Sequence, residues 1–153
     1  MSSTAATARS SRAGQPPRTH WLLVGVESLV ALAAVYGGVG LIWDNKIGMP
    51  ADWLSGTPFP NWVLPGVFLI LVVAVPMAVA AVLEARRSPW APVASVVAGG
   101  AQIAWIGVQL LVMQRYNVLQ PVMLGVGLAV IVLAIYVRRH EPVALLNPDR
   151  SGG

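Results

Sequence analysis

The chain has no cysteine among its 153 residues, and Asp, Glu, Lys and Arg together make up only 10% of it. Without thiols it runs no thiol–disulfide chemistry, carries no cysteine-ligated iron–sulfur cluster and is held by no disulfide. Histidine is nearly as scarce. His20 and His140 are the only two, and both fall at or beyond the ends of apolar runs, so a pair of axial ligands for haem inside a membrane is missing. No Ser/His/Asp set, HExxH or glycine-rich phosphate loop occurs. These residues point to no enzyme, no catalytic or metal-ligating residue and no cofactor. The shortage of charge also excludes a soluble domain, which would need far more to cover its surface.

Four apolar stretches fill the space that charge leaves: Trp21–Trp43, Trp62–Leu83, Trp90–Met113 and Pro121–Val137. At ~1.5 Å of rise per residue, about 20 residues cross a hydrocarbon core roughly 30 Å thick. The first three qualify outright. The fourth qualifies if its helix starts near Val118, which puts Pro121 in the first turn, where a missing N–H costs nothing. Backbone groups must be satisfied internally in lipid, so the expected fold is all-α, an integral membrane four-helix bundle. Its helices are expected at about 21–43, 62–83, 90–113 and 118–137, with a long loop over 44–61. Residues 1–20 read as a disordered basic tail and 138–153 as a short C-terminal one. Ala31-Leu32-Ala33 has the form of a signal-peptide cleavage site, but the apolar run continues to Trp43, which favours a retained anchor.

The net charge of +4 is distributed for topology rather than for nucleic acid. Arg9, Arg12, Arg18, Arg86, Arg87, Arg138, Arg139 and Arg150 lie at one end of the expected bundle, and only Lys46 and Arg115 at the other. The positive-inside rule then places both termini in the cytoplasm and the 44–61 loop outside, in a multi-pass protein of the inner membrane. No basic run is interleaved with stacking aromatics, which excludes a nucleic-acid partner. Trp21, Trp43, Trp62 and Trp90 bracket the spans as interfacial indoles do. Trp105 falls inside the third span and reads as a packing or lipid-facing residue.

Polar residues within the spans are few. Glu27 leads, because an acidic group at the centre of a span costs about 2.5–3.5 kcal/mol on insertion scales. Two readings fit it: proton or cation binding, or a structural hydrogen bond in the bundle. Ser95, Gln102 and Gln109 recur at intervals of seven, which drifts only ~20° per step and keeps them on one helix face. With Glu27 they form a candidate intramembrane polar site, a track if the first and third helices touch, or else ordinary interhelical glue. Pro76 is expected to kink the second helix and open the Val72 carbonyl, to which a protonated Glu27 could donate. Small residues four apart, Ala33/Gly37, Ala74/Ala78, Ser95/Gly99 and Gly125/Ala129, would permit close backbone approach.

The outer loop, DNKIGMPADWLSGTPFPN, is too rich in turn-setting prolines and apolar side chains for a passive linker. It reads either as a cap on the bundle mouth or as a recognition site built from Asp52, Trp53 and Arg115. Its Gly48-Met49-Pro50, Trp53-Leu54 and Thr57-Pro58-Phe59, followed by Pro65-Gly66 and by Trp105-Ile106-Gly107-Val108-Gln109, resemble a family of small bacterial four-span membrane proteins. The resemblance covers roughly residues 30–137; it implies a compact bundle and brings no activity. Abundant Ala, Val, Gly and Arg fit a GC-rich bacterial source.

Two function classes follow. The first is a structural or accessory protein of the bacterial cytoplasmic membrane, whose partners are lipids and a larger membrane complex or further copies of itself. The alternative is a small proton-coupled transporter or small-ligand-binding protein using Glu27. In kind, Glu27 is similar to the single first-helix glutamate of the small exporters that dimerise from four-helix subunits. This chain departs from them in its length, its long outer loop and its third helix.

Overall fold

The computed structural model describes residues 18–114 and 116–140. Four helices long and apolar enough to cross a membrane make up the architecture: α1 (Arg18–Ile42), α2 (Val63–Ala85), α3 (Ala91–Met113) and α4 (Leu119–His140). Among the described residues there is no strand. The expected helices are all present, with three edges shifted by more than one residue, among them the end of α2, at Ala85 rather than 83. Residues 18–20, assigned to the tail, belong to α1, and α4 runs on through residues 138–140. The rest of both tails, and Arg115, lie outside the described residues.

Consecutive helices run antiparallel, so the start of α1 lies beside the end of α2, and α3 pairs with α4 in the same way. α1 packs on α2, α2 on α3 and α3 on α4, with a lighter contact closing α4 onto α1. α1 and α3 are diagonal partners that do not pack along one another. Each helix therefore has an inner and an outer face. On α1 the inner face is His20, Leu23, Glu27, Val30, Ala34 and Leu41, buried at spacings of three, four and seven. Leu22, Leu29 and Leu32 face outward.

Two glycine crossings bring the backbones together. A Cβ added to Gly38 would stand 2.8 Å from the Gly66 carbonyl oxygen, and one added to Gly99 would stand 2.8 Å from that of Gly127. No side chain fits at such a crossing, so α1 meets α2, and α3 meets α4, at small residues. Of the four small-residue pairs expected from spacing, only Ser95/Gly99 supplies a member of either crossing.

Pro76 acts one turn earlier than a simple kink. It has no N–H for the Val72 carbonyl, and α2 widens into a π turn over Ile70–Ala74, where the Val75 N–H reaches back five residues to Ile70. Such single π turns inside α-helices are frequent at functional sites.

At the loop end the chain is held by its own side chains. Asn45 and Met49 exchange two hydrogen bonds, Asn45 Nδ2 donating to the Met49 carbonyl at 2.6 Å and Asn45 Oδ1 accepting from the Met49 N–H at 3.0 Å. Ser55 and Thr57 hydroxyls close the turn around Ala51–Leu54. A capping box opens α4: Gln120 Oε1 accepts from the Asn117 N–H at 3.0 Å while Asn117 Oδ1 accepts from the Leu119 N–H at 2.9 Å. Pro121 follows within the first turn, where its missing donor is harmless.

Candidate functional site

Two polar features occupy the bundle, at different depths. Near the end that carries both termini, α1, α2 and α3 bring His20, Glu27, Glu84 and Ser95 into a cluster in which every side chain is at least 97% buried. His20 Nδ1 stands 3.2 Å from Glu84 Oε2, without the alignment of a hydrogen bond, and its Nε2 has no partner. Ser95 Oγ donates to Glu84 Oε1 at 3.4 Å. The Ser95 hydroxyl also stands within reach of the Glu27 carboxyl, though short of full hydrogen-bond geometry, and Glu84 is near enough to repel it. The donation from Glu27 to the Val72 carbonyl, expected from Pro76, is not made.

The magnitudes bear on the two readings of Glu27. Interhelical hydrogen bonds in membranes return about 0.6 kcal/mol apiece, whereas an acid at the centre of a span costs about 2.5–3.5 kcal/mol. A single contact of that size, such as the one the Ser95 hydroxyl offers, is smaller than that cost.

At the loop end lies a cavity of about 390 Å³ between all four helices, with Ile47, Met49 and Trp53 of the loop along its rim. Its walls are mainly apolar. No Asp, Glu, Lys, Arg or His lines it among the described residues, a shape and polarity suited to a small molecule. Its floor is set by Val30, Val73 and Gln102, and Val30 is three residues, or ~4.5 Å of helix rise, beyond Glu27. Met77 and Ala98, both fully buried, occupy the layer between that floor and the polar cluster.

The sequence-derived site divides between these features. Glu27 and Ser95 fall in the cluster, joined by His20 and Glu84; Gln102 and Gln109 line the cavity instead. The expected track is thus two sites separated by an apolar layer, because α1 and α3 are diagonal and meet only across the core. Gln102 is fixed by donating from Nε2 to the Met123 carbonyl at 2.6 Å, which leaves its buried Oε1 unpartnered. Of the loop candidates, Trp53 lines the cavity and Asp52 is exposed. Among the described residues neither Asp44 nor Asp52 pairs with Lys46.

One tryptophan assignment changes and another narrows to packing. Trp21, Trp43 and Trp90 are exposed as belt residues should be, but Trp62 is 6% exposed and lines the cavity. Trp105, at 8%, is packed inward with its ring centroid 6.3 Å from that of Phe68, so it does not face lipid. His20 is likewise inside the bundle rather than at an exposed edge.

No family model matches the chain, and no curated protein or solved structure matches it.

Proposed function

We propose that this chain is a multi-pass protein of a bacterial cytoplasmic membrane that holds a small molecule in its loop-side cavity and couples that binding to proton exchange at Glu27. The observation that carries the reading is Glu27 itself, wholly buried, with neither oxygen in full hydrogen-bond geometry, one helical turn beneath the cavity floor. The nearby Ser95 hydroxyl is a small return on burying a carboxyl group there, and an ionisable residue inside a span is a functional site by default. The groups that face it are Glu84 from α2, Ser95 from α3 and, one step further, His20 from α1's own first turns. Val130, Ala134 and Val137 of α4 are buried in the core along this half, with Leu133 packed against it. A proton moving to or from Glu27 thus has Glu84 and His20 as its nearest exchange partners. The excess of arginine at the same end supports a cytoplasmic position for both termini and for this cluster.

Infrared difference spectroscopy on the reconstituted protein tests the coupling. A carboxyl band that appears and disappears between acid and alkaline buffers, and that is lost in Glu27→Gln but kept in Glu84→Gln, is the expected result. A spectrum unchanged by Glu27→Gln would remove proton exchange at this residue.

A structural or accessory role is the second reading, favoured by the loop, whose turns are fixed by their own hydrogen bonds and which presents Asp52 to solvent. Native mass spectrometry of the protein extracted from its own membrane separates the two. A stoichiometric larger partner supports the accessory role, whereas the ligand-handling reading expects the chain alone or with copies of itself.

A further inference from the structure

The cavity carries more information than its volume. Three of its lining side chains are more than nine-tenths buried and keep a polar atom with no partner in the protein: Trp62 and Trp105 at Nε1, and Gln102 at Oε1. Buried polar atoms are seldom left unpaired, since each costs about 1–3 kcal/mol, so three on residues lining one space call for an explanation; none is accessible from the cavity as it stands, so a ligand meets them only with local side-chain adjustment. Neither indole can be reversed into an acceptor; each is a donor only. The Gln102 amide cannot turn to use its oxygen elsewhere without releasing the Met123 carbonyl.

We propose that this cavity binds a neutral, mainly apolar molecule carrying a carbonyl or hydroxyl oxygen, which accepts from the Trp62 and Trp105 indoles and, if a hydroxyl, donates to Gln102. Each part of that description has its own source on the walls. Apolar mass follows from the aliphatic and aromatic lining. Neutrality follows from the lack of any charged side chain among the described lining residues, because an ion placed there would lose its hydration with nothing to replace it. The accepting oxygen follows from two donor-only indoles. Trp105 packs on Phe68 and Gln102 is tied to the Met123 carbonyl, which limits how far either side chain moves when a ligand binds. This assignment rests on the ligand-handling reading above and names the chemistry of its ligand.

The probe is benzophenone, a neutral ketone that inserts into nearby C–H bonds on irradiation and favours those next to sulfur. Met49, Met113 and Met123 all line the cavity, while Met77 is buried beneath its floor. With the protein in phosphatidylcholine nanodiscs, adducts mapped by peptide mass spectrometry should concentrate on Met49, Met113 and Met123. An excess of fluorenone should suppress them at least fivefold; fluorene, the same rings without oxygen, and fluorene-9-carboxylate, which is charged, should not. In Trp62→Phe/Trp105→Phe the labelling should fall about five- to tenfold. Adducts spread evenly over the lipid-facing residues would overturn the site. Equal competition by fluorene and fluorenone would overturn the class, showing an apolar gap of the kind a lipid chain fills. Competition by the carboxylate would overturn neutrality. The comparison of competitors uses the wild-type protein alone, so it decides the matter even where a tryptophan variant fails to fold. Because no proton is read, labelling as expected beside an infrared spectrum indifferent to Glu27→Gln keeps the ligand class and refutes only the coupling.

Discussion

Glu84 and His20 approach each other from two helix ends, and the contact matters because neither group has bulk water to fall back on. Truncating Glu84 leaves the buried Ser95 hydroxyl without its acceptor and His20 without the acid 3.2 Å from its Nδ1; leaving a buried polar group unpaired costs about 1–3 kcal/mol. Glu84→Ala is therefore expected to lower the thermal stability of the detergent-solubilised protein by that order. His20→Ala added to it should cost much less than His20→Ala alone, because the pair acts as a unit. Strictly additive losses in this double-mutant cycle would show that the two side chains do not interact. The sequence made Glu27 legible because an acid inside an apolar run has no ordinary reason to be there. His20 and Glu84 were hidden by position, since a polar residue in the last turns of a span reads as interfacial. The signal that reveals them is spacing: His20 is seven residues from Glu27, and Glu84 seven from the fully buried Met77, so each lies on the inner face of its helix. Applied to α3 alone, the same rule grouped Ser95, Gln102 and Gln109.

The helices themselves were the most legible part, because length and apolarity are set by the bilayer and require no knowledge of neighbours. Which faces meet is a different matter. Spacing of small residues identifies stripes that permit close approach, but a stripe on a lipid-facing side looks the same as one at a crossing. Gly125, from an expected pair, has open space where a Cβ would go, whereas Gly127, two residues on and outside any expected pair, sits 3.2 Å from the Gly99 carbonyl on the same test. This gives a matched comparison within α3. Gly99→Ala forces its new methyl against the Gly127 carbonyl and the Ile131 side chain, and overpacking of this kind costs about 1–3 kcal/mol. Gly100→Ala meets nothing and gains up to about 1 kcal/mol of helix propensity. Thermal unfolding in mild detergent should place the two variants on opposite sides of the wild type. A Gly99→Ala protein as stable as the parent would mean that α3 and α4 do not cross at this point.

For the molecule as a whole, what matters is which feature faces which side, and the charges make a definite prediction. Arg86, Arg87, Arg138 and Arg139 are exposed at the end holding the His20–Glu84–Glu27 cluster, and Lys46 is exposed at the end holding the cavity. A bias of that size in short connections predicts an orientation with the arginine-rich end in the cytoplasm. The absence of cysteine makes the test clean, since any introduced thiol is the only one. Ser55→Cys in the loop should react with a membrane-impermeant maleimide in intact cells, and Ser88→Cys between α2 and α3 only after permeabilisation. The reverse pattern would invert the protein. With the expected orientation, a ligand enters the cavity from outside while the proton at Glu27 exchanges with the inside through Glu84 and His20. Met77, Ala98 and the π turn at Ile70–Ala74 then lie in the layer where the two routes are kept apart, and α2 is the helix whose backbone is already relaxed from regular α geometry there. A rearrangement that joins the cavity to the cluster would need the least backbone change at that turn.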